Sequence, residues 1–342
     1  MVFLSESDKN RWNAFVQAAD DATCYHQAGW KEVIENTFGH KTFYLISEDG
    51  SKKIKGILPL VQLKSLLFGN FLVSLPYFNY GGACVSNQEG LRDLLNEAKI
   101  IAAETNAKYI EFRHARHLYE ELPVKKTKVA MELALPEDAE QLLKLFPSKL
   151  RSQIKKPQKE GMSSKIGKID EVENFYAVFS QNMRDLGTPV YSIKFFKNIL
   201  KTFPDSTWIC TVSLKSGLPV ASAFLVGFKG KLEIPWASSL RKYNSLSPNM
   251  LLYWSVLKFA CESGFRIFDF GRSTPGEGTY RFKEQWGAKP VQLYWHYWLK
   301  QDAVLPELNP KNPKYQVAIR LWQKMPVPLT RVLGPIIVKN IP

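Results

Sequence analysis

SPNMLLYWSVLKFACESGFRIFDFGR (Ser247–Arg272) is the stretch on which the fold turns. Leu252, Ser255, Val256, Phe259 and Ala260 fall on one face at helical spacing. Pro248 suits the first turn of that helix and Gly264 its C-terminal cap, so a helix is predicted over Pro248–Gly264. FRIFDFGR (Phe265–Arg272) then reads as a buried strand that ends in Gly-Arg. Upstream lie STWICTVSLKSG (Ser206–Gly217), LPVASAFLVGF (Leu218–Phe228) and KLEIPWASS (Lys231–Ser239), three apolar runs separated by turn residues.

The same order occurs earlier in the chain. KTFYLISEDG (Lys41–Gly50), IKGILPLVQL (Ile54–Leu63) and LFGNFLVSLP (Leu67–Pro76) are strand-like. LRDLLNEAKIIAAET (Leu91–Thr105) puts Leu91, Leu94, Leu95, Ala98, Ile101 and Ala102 on one helical face, and KYIEFRHA (Lys108–Ala115) closes the copy as a strand. Strand, turn, strand, strand, helix, strand, written twice, predicts two similar α/β units. A chain of 342 residues fits two such domains. The expected division is 1–125, 126–305 with a basic connector at 141–170, and a tail at 306–342 that packs back on the first domain. The helix Val172–Gly187 opens the second unit, and the connector's basic helix is expected to break at Pro157.

Charge follows the same division. The net charge is +14. Gln141–Asp170 holds eight basic residues against two acidic ones, and Leu308–Pro342 holds six basic residues and no acid. The excess points to anionic contacts at the connector and tail (phosphate, nucleic acid or a lipid surface) or to solvated faces there. Val327, Leu329, Val332, Leu333, Ile336, Ile337 and Val338 mix with Arg331 and Lys339 in that tail, a pattern suited to lying on anionic lipid.

Cys24, Cys84, Cys210 and Cys261 stand far apart among apolar residues, as buried thiols do. His114 and His117 have no acid or cysteine at ligand spacing and read as a surface pair; no metal site is expected. The start MVFLSESDKN lacks a signal-peptide pattern, so a cytoplasmic protein is expected. Ser65–Val85 runs without a charge, but its asparagines, tyrosines and glycines suit buried strands and turns better than a membrane span.

Chemistry concentrates in FDFGRSTPGEGTYRFKEQWGA (Phe268–Ala288). A glycine-rich loop at the C-terminal end of a buried strand is a common ligand position in α/β proteins. Arg272, Arg281 and Lys283 can neutralise a phosphate or a developing oxyanion, and Asp269 and Glu277 can act as a base or an orienting group. Phosphate-loop, serine-elbow, zinc-protease and dinucleotide motifs are absent.

Pro248–Arg272 followed by GTYRFKEQWGA resembles the FemAB family, the Fem-type aminoacyltransferases that extend peptidoglycan cross-bridges. The branch it resembles most is the FemAB-related proteins of exosortase (PEP-CTERM) and exopolysaccharide loci. SKLRSQIKKPQKEGM is similar to the family's basic interdomain helix, and KMPVPLTRVLGPIIVKNIP to the C-terminal signature of that branch. The resemblance implies two tandem GNAT-like (acyl-CoA N-acyltransferase-like) domains with mixed central sheets. It implies acyl transfer to an amine, with no prosthetic group and with aminoacyl-tRNA or acyl-CoA as donor. The family's Phe-Lys pair falls on Phe282-Lys283, which makes Lys283 the expected catalytic residue, with Arg272, Tyr280, Arg281 and Phe282 about the substrate. Arg184, Tyr191 and Lys31 are nominated for the acceptor.

One departure bears on the donor. RKYNSLSPN (Arg241–Asn249) stands where GNAT enzymes carry the Q/R-x-x-G-x-G/A loop for the CoA pyrophosphate. The long coiled-coil arm of some members is also missing. The expected activity is therefore acyl or aminoacyl transfer to an amine of a cell-envelope peptide or sugar precursor, free or lipid-linked. An acyl-CoA-dependent N-acyltransferase for an exopolysaccharide and a non-catalytic scaffold for exopolysaccharide assembly at the inner membrane are the alternatives. Expected partners are that precursor, tRNA and, through the tail, the inner membrane, but not DNA.

Overall fold

The computed structural model describes residues 2–66, 68–301, 303–306 and 313–341; Lys311 of the basic tail lies outside them. The chain divides into two compact units. One comprises residues 1–128, 292–308 and 339–342, the other 129–291 and 309–338.

The first unit is a mixed sheet. In spatial order its strands are Val2–Phe3, Thr42–Glu48, Ile54–Ser65, Gly69–Val73, Tyr109–His114, Tyr294–Leu299 and Val124–Lys125, with Cys84–Val85 added against Ile54–Ser65. The helix Gln88–Glu104 follows Cys84–Val85 and leads to Tyr109–His114, which lies parallel to Gly69–Val73. Asn87 starts the helix by accepting a hydrogen bond from Gly90 N at 2.8 Å. Leu91, Leu94, Leu95, Ala98, Ile101 and Ala102 are all buried, the face that the sequence spacing predicted.

The second unit repeats this plan. Thr207–Ser213, Pro219–Phe228 and Lys231–Ser239 form an antiparallel meander, and the helix Pro248–Glu262 leads to Ile267–Ser273, parallel to Lys231–Ser239. Pro248 opens that helix, and Gly264 beyond its end takes φ +78°, where a side chain would be strained. Burial extends past the expected face to Met250, Leu251, Trp254, Leu257 and Cys261. The sheet on one side and the helix Ser148–Lys159 on another surround it.

Five expectations are corrected. The stretch at 141–170 is not a free connector. It supplies the helices Ala139–Leu145 and Ser148–Lys159 and the edge strand Ser163–Gly167, which pairs with Thr207–Ser213. Pro157 does not break its helix, because it sits in the last turn, where only one backbone bond is forfeited, and its ring is buried. The strand Tyr294–Leu299, expected in the second domain, pairs instead with Tyr109–His114 in the first unit's sheet. Val129–Ala134 joins Ile267–Ser273 in the second unit, where the expected division placed it. The tail helices Pro313–Lys324 and Val327–Val338 pack on Val172–Leu186 of the second unit. The chain returns to the first unit from Lys339, whose carbonyl meets Tyr77 Oη at 2.6 Å and His40 Nε2 at 2.7 Å. His114 is no surface residue: it is buried, with Nδ1 at 3.2 Å from His296 Nδ1.

In the first unit the parallel strands separate soon after Val73 and Glu111, and the gap is filled. Arg113 donates to Glu111 Oε1 at 2.7 Å and to the Phe78 carbonyl at 2.5 Å, and its guanidinium lies 4.4 Å from the Trp295 ring centre. Tyr297 Oη donates to Glu111 Oε2 at 2.8 Å. Replacing Arg113 by Met leaves Glu111 buried without its counter-charge. We expect the urea midpoint to fall by an amount equivalent to about 3–5 kcal/mol, with no compensation from added salt.

Candidate functional site

The second unit's parallel pair separates at the corresponding place. Lys231, Leu232 and Glu233 pair with Ile267, Phe268 and Asp269, and there the ladder stops although both strands continue. The sequence supplies the cause on each side. Pro235 has no N–H to give a neighbour and sits where the register with Pro219–Phe228 shifts. Opposite it, Gly271 takes φ +74°, at a register shift between Asp269 and Arg272 against Val129–Ala134. Asp269 Oδ1 accepts from Gly271 N at 2.7 Å and pins the bulge.

Lys283 closes this site. The run Gly278–Glu284, read from sequence as loop, forms a short helix that carries it inward. Its side chain is 8% exposed, and Nζ donates to the carbonyls of Gly271 and Arg272, both at 2.9 Å. Those two carbonyls are turned toward it by the bulge. An ammonium has three protons, so one donor remains beyond these two bonds. Burial lowers the Lys283 pKa to about 8; Asp269 and Glu233 pull it back up, and Arg272 pushes it down. Asp269 and Glu233, partners in register, are both buried. Lys231, half-buried, forms an ion pair with Glu132 and is held above the ordinary lysine value by Glu132, Asp269 and Glu233 against the opposing effect of burial. The result is a sheltered cluster of two acids and a weakened ammonium where two strands part. Ser273 ends the closing strand with a buried hydroxyl that has no hydrogen-bond partner among the described residues.

The structure brings Lys283 together with Asp269, and Arg272 contributes its carbonyl while its side chain is exposed. Phe282 packs edge-on against Tyr253 with ring centres 5.0 Å apart, and Tyr280 is half-buried on the same core. Arg281 and Glu277 are exposed. The residues nominated for an acceptor stand elsewhere. Arg184 donates to Asp185 at 2.8 Å and to the Met325 carbonyl at 3.0 Å, which holds the tail helices. Tyr191 packs among Phe195, Phe196 and Trp236. Lys31 lies in the first unit, paired with Glu35 at 2.6 Å. Glu233 was missed. Its signal was an acid set between Leu232 and Ile234 in a strand otherwise too apolar to face water.

Residues 126–284 match the family model of the acetyltransferase (GNAT) domain. No curated protein matches the sequence. FemX has the same fold at TM-score 0.65 and 16% identity, over 93% of this chain and 100% of its own. L-PGS from Bacillus licheniformis aligns at TM-score 0.58 and 12% identity, over 98% of this chain and 99% of its own. A tandem GNAT protein from the clavulanic acid biosynthesis pathway aligns at 0.55 and 10% identity, over 90% and 99%.

Lys283 also ties the site to stability. Below pH 8 folded and unfolded chains both carry its proton, and burial of the charge costs stability. From about 8 to the ordinary lysine value of 10.5 only the unfolded chain binds it. Stability contributed at this residue therefore rises with pH across that window, by up to about 1.4 kcal/mol per unit. Denaturation of wild type and Lys283→Met at a series of pH values measures the difference, which should move in favour of wild type as pH rises.

Proposed function

We propose that this chain, a GNAT-type acyltransferase with the tandem fold seen in FemX, moves an aminoacyl or acyl group onto an amine of a cell-envelope peptide or sugar precursor. The observation that carries the reading is the buried Lys283 ammonium beside Asp269 and Glu233 at the parting of two parallel strands.

The chemistry follows from these groups. An acceptor amine attacks the carbonyl carbon of the donor ester or thioester, and negative charge collects on the carbonyl oxygen. The third proton of Lys283 stabilises that oxyanion, while the Gly271 and Arg272 carbonyls fix the ammonium in place. Glu233 takes the proton that the amine must lose. Collapse then breaks the ester or thioester bond, the departing oxygen or sulfur takes the proton from Glu233 to leave as a hydroxyl or thiol, and an amide remains.

Two features favour aminoacyl-tRNA as the donor. The acids Asp269 and Glu233 suit the α-ammonium of an aminoacyl group. The segment Arg241–Leu246 is a tight helical turn followed by Ser247 at φ +59°, and Pro248 at the start of the next helix withholds an N–H from any bound pyrophosphate. Acyl-CoA with an exopolysaccharide acceptor is the second reading, supported by the GNAT model match alone. An aminoacyl-tRNA donor would place the reaction in the cytoplasm.

Purified protein supplied with radiolabelled aminoacyl-tRNA or acyl-CoA tests both. We expect transfer from aminoacyl-tRNA, a loss of about 100-fold or more in Lys283→Ala, and affinity for tRNA that falls steeply with salt. Because the charged lysine does the work, the rate should decline as pH rises through about 8. A rate that climbs to a plateau above that pH would assign Lys283 the role of base and overturn the mechanism.

A further inference from the structure

The two tail helices have an inner face that is closely specified. Gly187 lies under Ile319, where an added Cβ would meet Cγ2 at 2.5 Å, and a Cβ on Gly334 would lie 2.7 Å from Val190 N. Arg331 donates to Ser180 Oγ at 2.8 Å and covers the Tyr176 ring, and Gln323 reaches the Asp185 carbonyl at 3.2 Å. Trp322, Thr330 and Val338 are buried on this side.

The outer face is the reverse of what solubility asks. Val317 and Leu321 are exposed one turn apart on the first helix. Leu329, Val332, Leu333 and Ile336 are exposed at spacings of three, four and seven on the second. Val332 is 65% and Leu321 63% exposed. Exposed Arg320 and Lys324 flank Leu321, and no acid occurs anywhere in 308–342. An aliphatic stripe flanked by Arg320 and Lys324, in a segment without acids, matches the apolar interior and anionic headgroups of a phospholipid surface. A second copy of the chain would bring the cations face to face, which disfavours self-association. A helix of 12 residues is about 18 Å long, and among the described residues no helix is long and apolar enough to cross a membrane. The helices must therefore lie along the surface.

We propose that Pro313–Lys324 and Val327–Val338 form an in-plane docking face for an anionic phospholipid bilayer. This goes beyond the transfer reaction. Vesicle binding needs neither donor nor acceptor, so it can fail while the transferase reading stands.

The test is co-sedimentation of full-length protein with vesicles of phosphatidylcholine, with and without phosphatidylglycerol, at low and high salt. Wild type should bind the anionic vesicles, and binding should fall at least about ten-fold on neutral vesicles, in Val332→Ser/Ile336→Ser and in Arg320→Gln/Lys324→Gln. Near-UV circular dichroism confirms that each pair is folded; the charge pair alters only exposed residues. Absence of vesicle binding, or equal binding by wild type and both pairs, overturns the proposal. So does light scattering that shows a dimer abolished by the same changes without vesicle binding, or capture by poly-glutamate beads but not by vesicles, which would assign the face to an acidic protein.

Discussion

The contact between Asp269 Oδ1 and Gly271 N governs the second unit. It holds a left-handed glycine inside a strand, and that residue turns two consecutive carbonyls toward one lysine. Without the bulge, the closing strand would continue its parallel ladder beside Lys231–Ser239, and its carbonyls would be taken up by the sheet. Pro235 prevents that pairing from the other side. The site is thus made by interrupting regular structure at one step, using a proline that cannot donate and a glycine that can bend. Burial supplies the rest. A lysine placed against carbonyls in a dry setting loses much of its grip on its proton, and the nearby acids limit how far that goes.

The two units show what the interruption is worth. Glu111 ends the parallel ladder of the first unit and Asp269 that of the second, with Arg113 and Gly271 two residues further on. In the first unit the acid is consumed by an arginine and a tyrosine, and the same gap becomes a buried ion pair braced on Trp295. In the second unit the corresponding place is taken by Lys283, bonded to the Gly271 and Arg272 carbonyls beside Asp269.

How much of this was legible in the sequence depended on distance along the chain. Each strand–helix–strand copy was readable because its signals are local: the spacing of Leu91 to Ala102, Pro248 at a helix start, Gly264 at its end. Lys283 and Asp269 were nominated through the loop chemistry and the resemblance, and the fold brings them together. The placement of Tyr294–Leu299 in the first sheet was not readable, since alternation shows that a segment is a strand but not which neighbour it takes. Glu233 escaped for the same reason, as its meaning comes from a register partner on another strand. In sequence, an arginine that clamps a helix end and one that grips a ligand look alike; the contact of Arg184 with the Met325 carbonyl emerges only in the fold.

The position of Tyr294–Leu299 has a consequence for how the protein is made. That strand pairs with Tyr109–His114 on one side and Val124–Lys125 on the other, so it is interior to the first sheet. A ribosome delivers it only after the whole of 129–291. Throughout that interval the nascent first unit carries an open edge at Tyr109–His114, with its backbone donors and acceptors unpaired. The first unit's sheet therefore cannot be completed until 129–291 has been made. Expression of the two halves as separate polypeptides would leave the first without the strand that completes it.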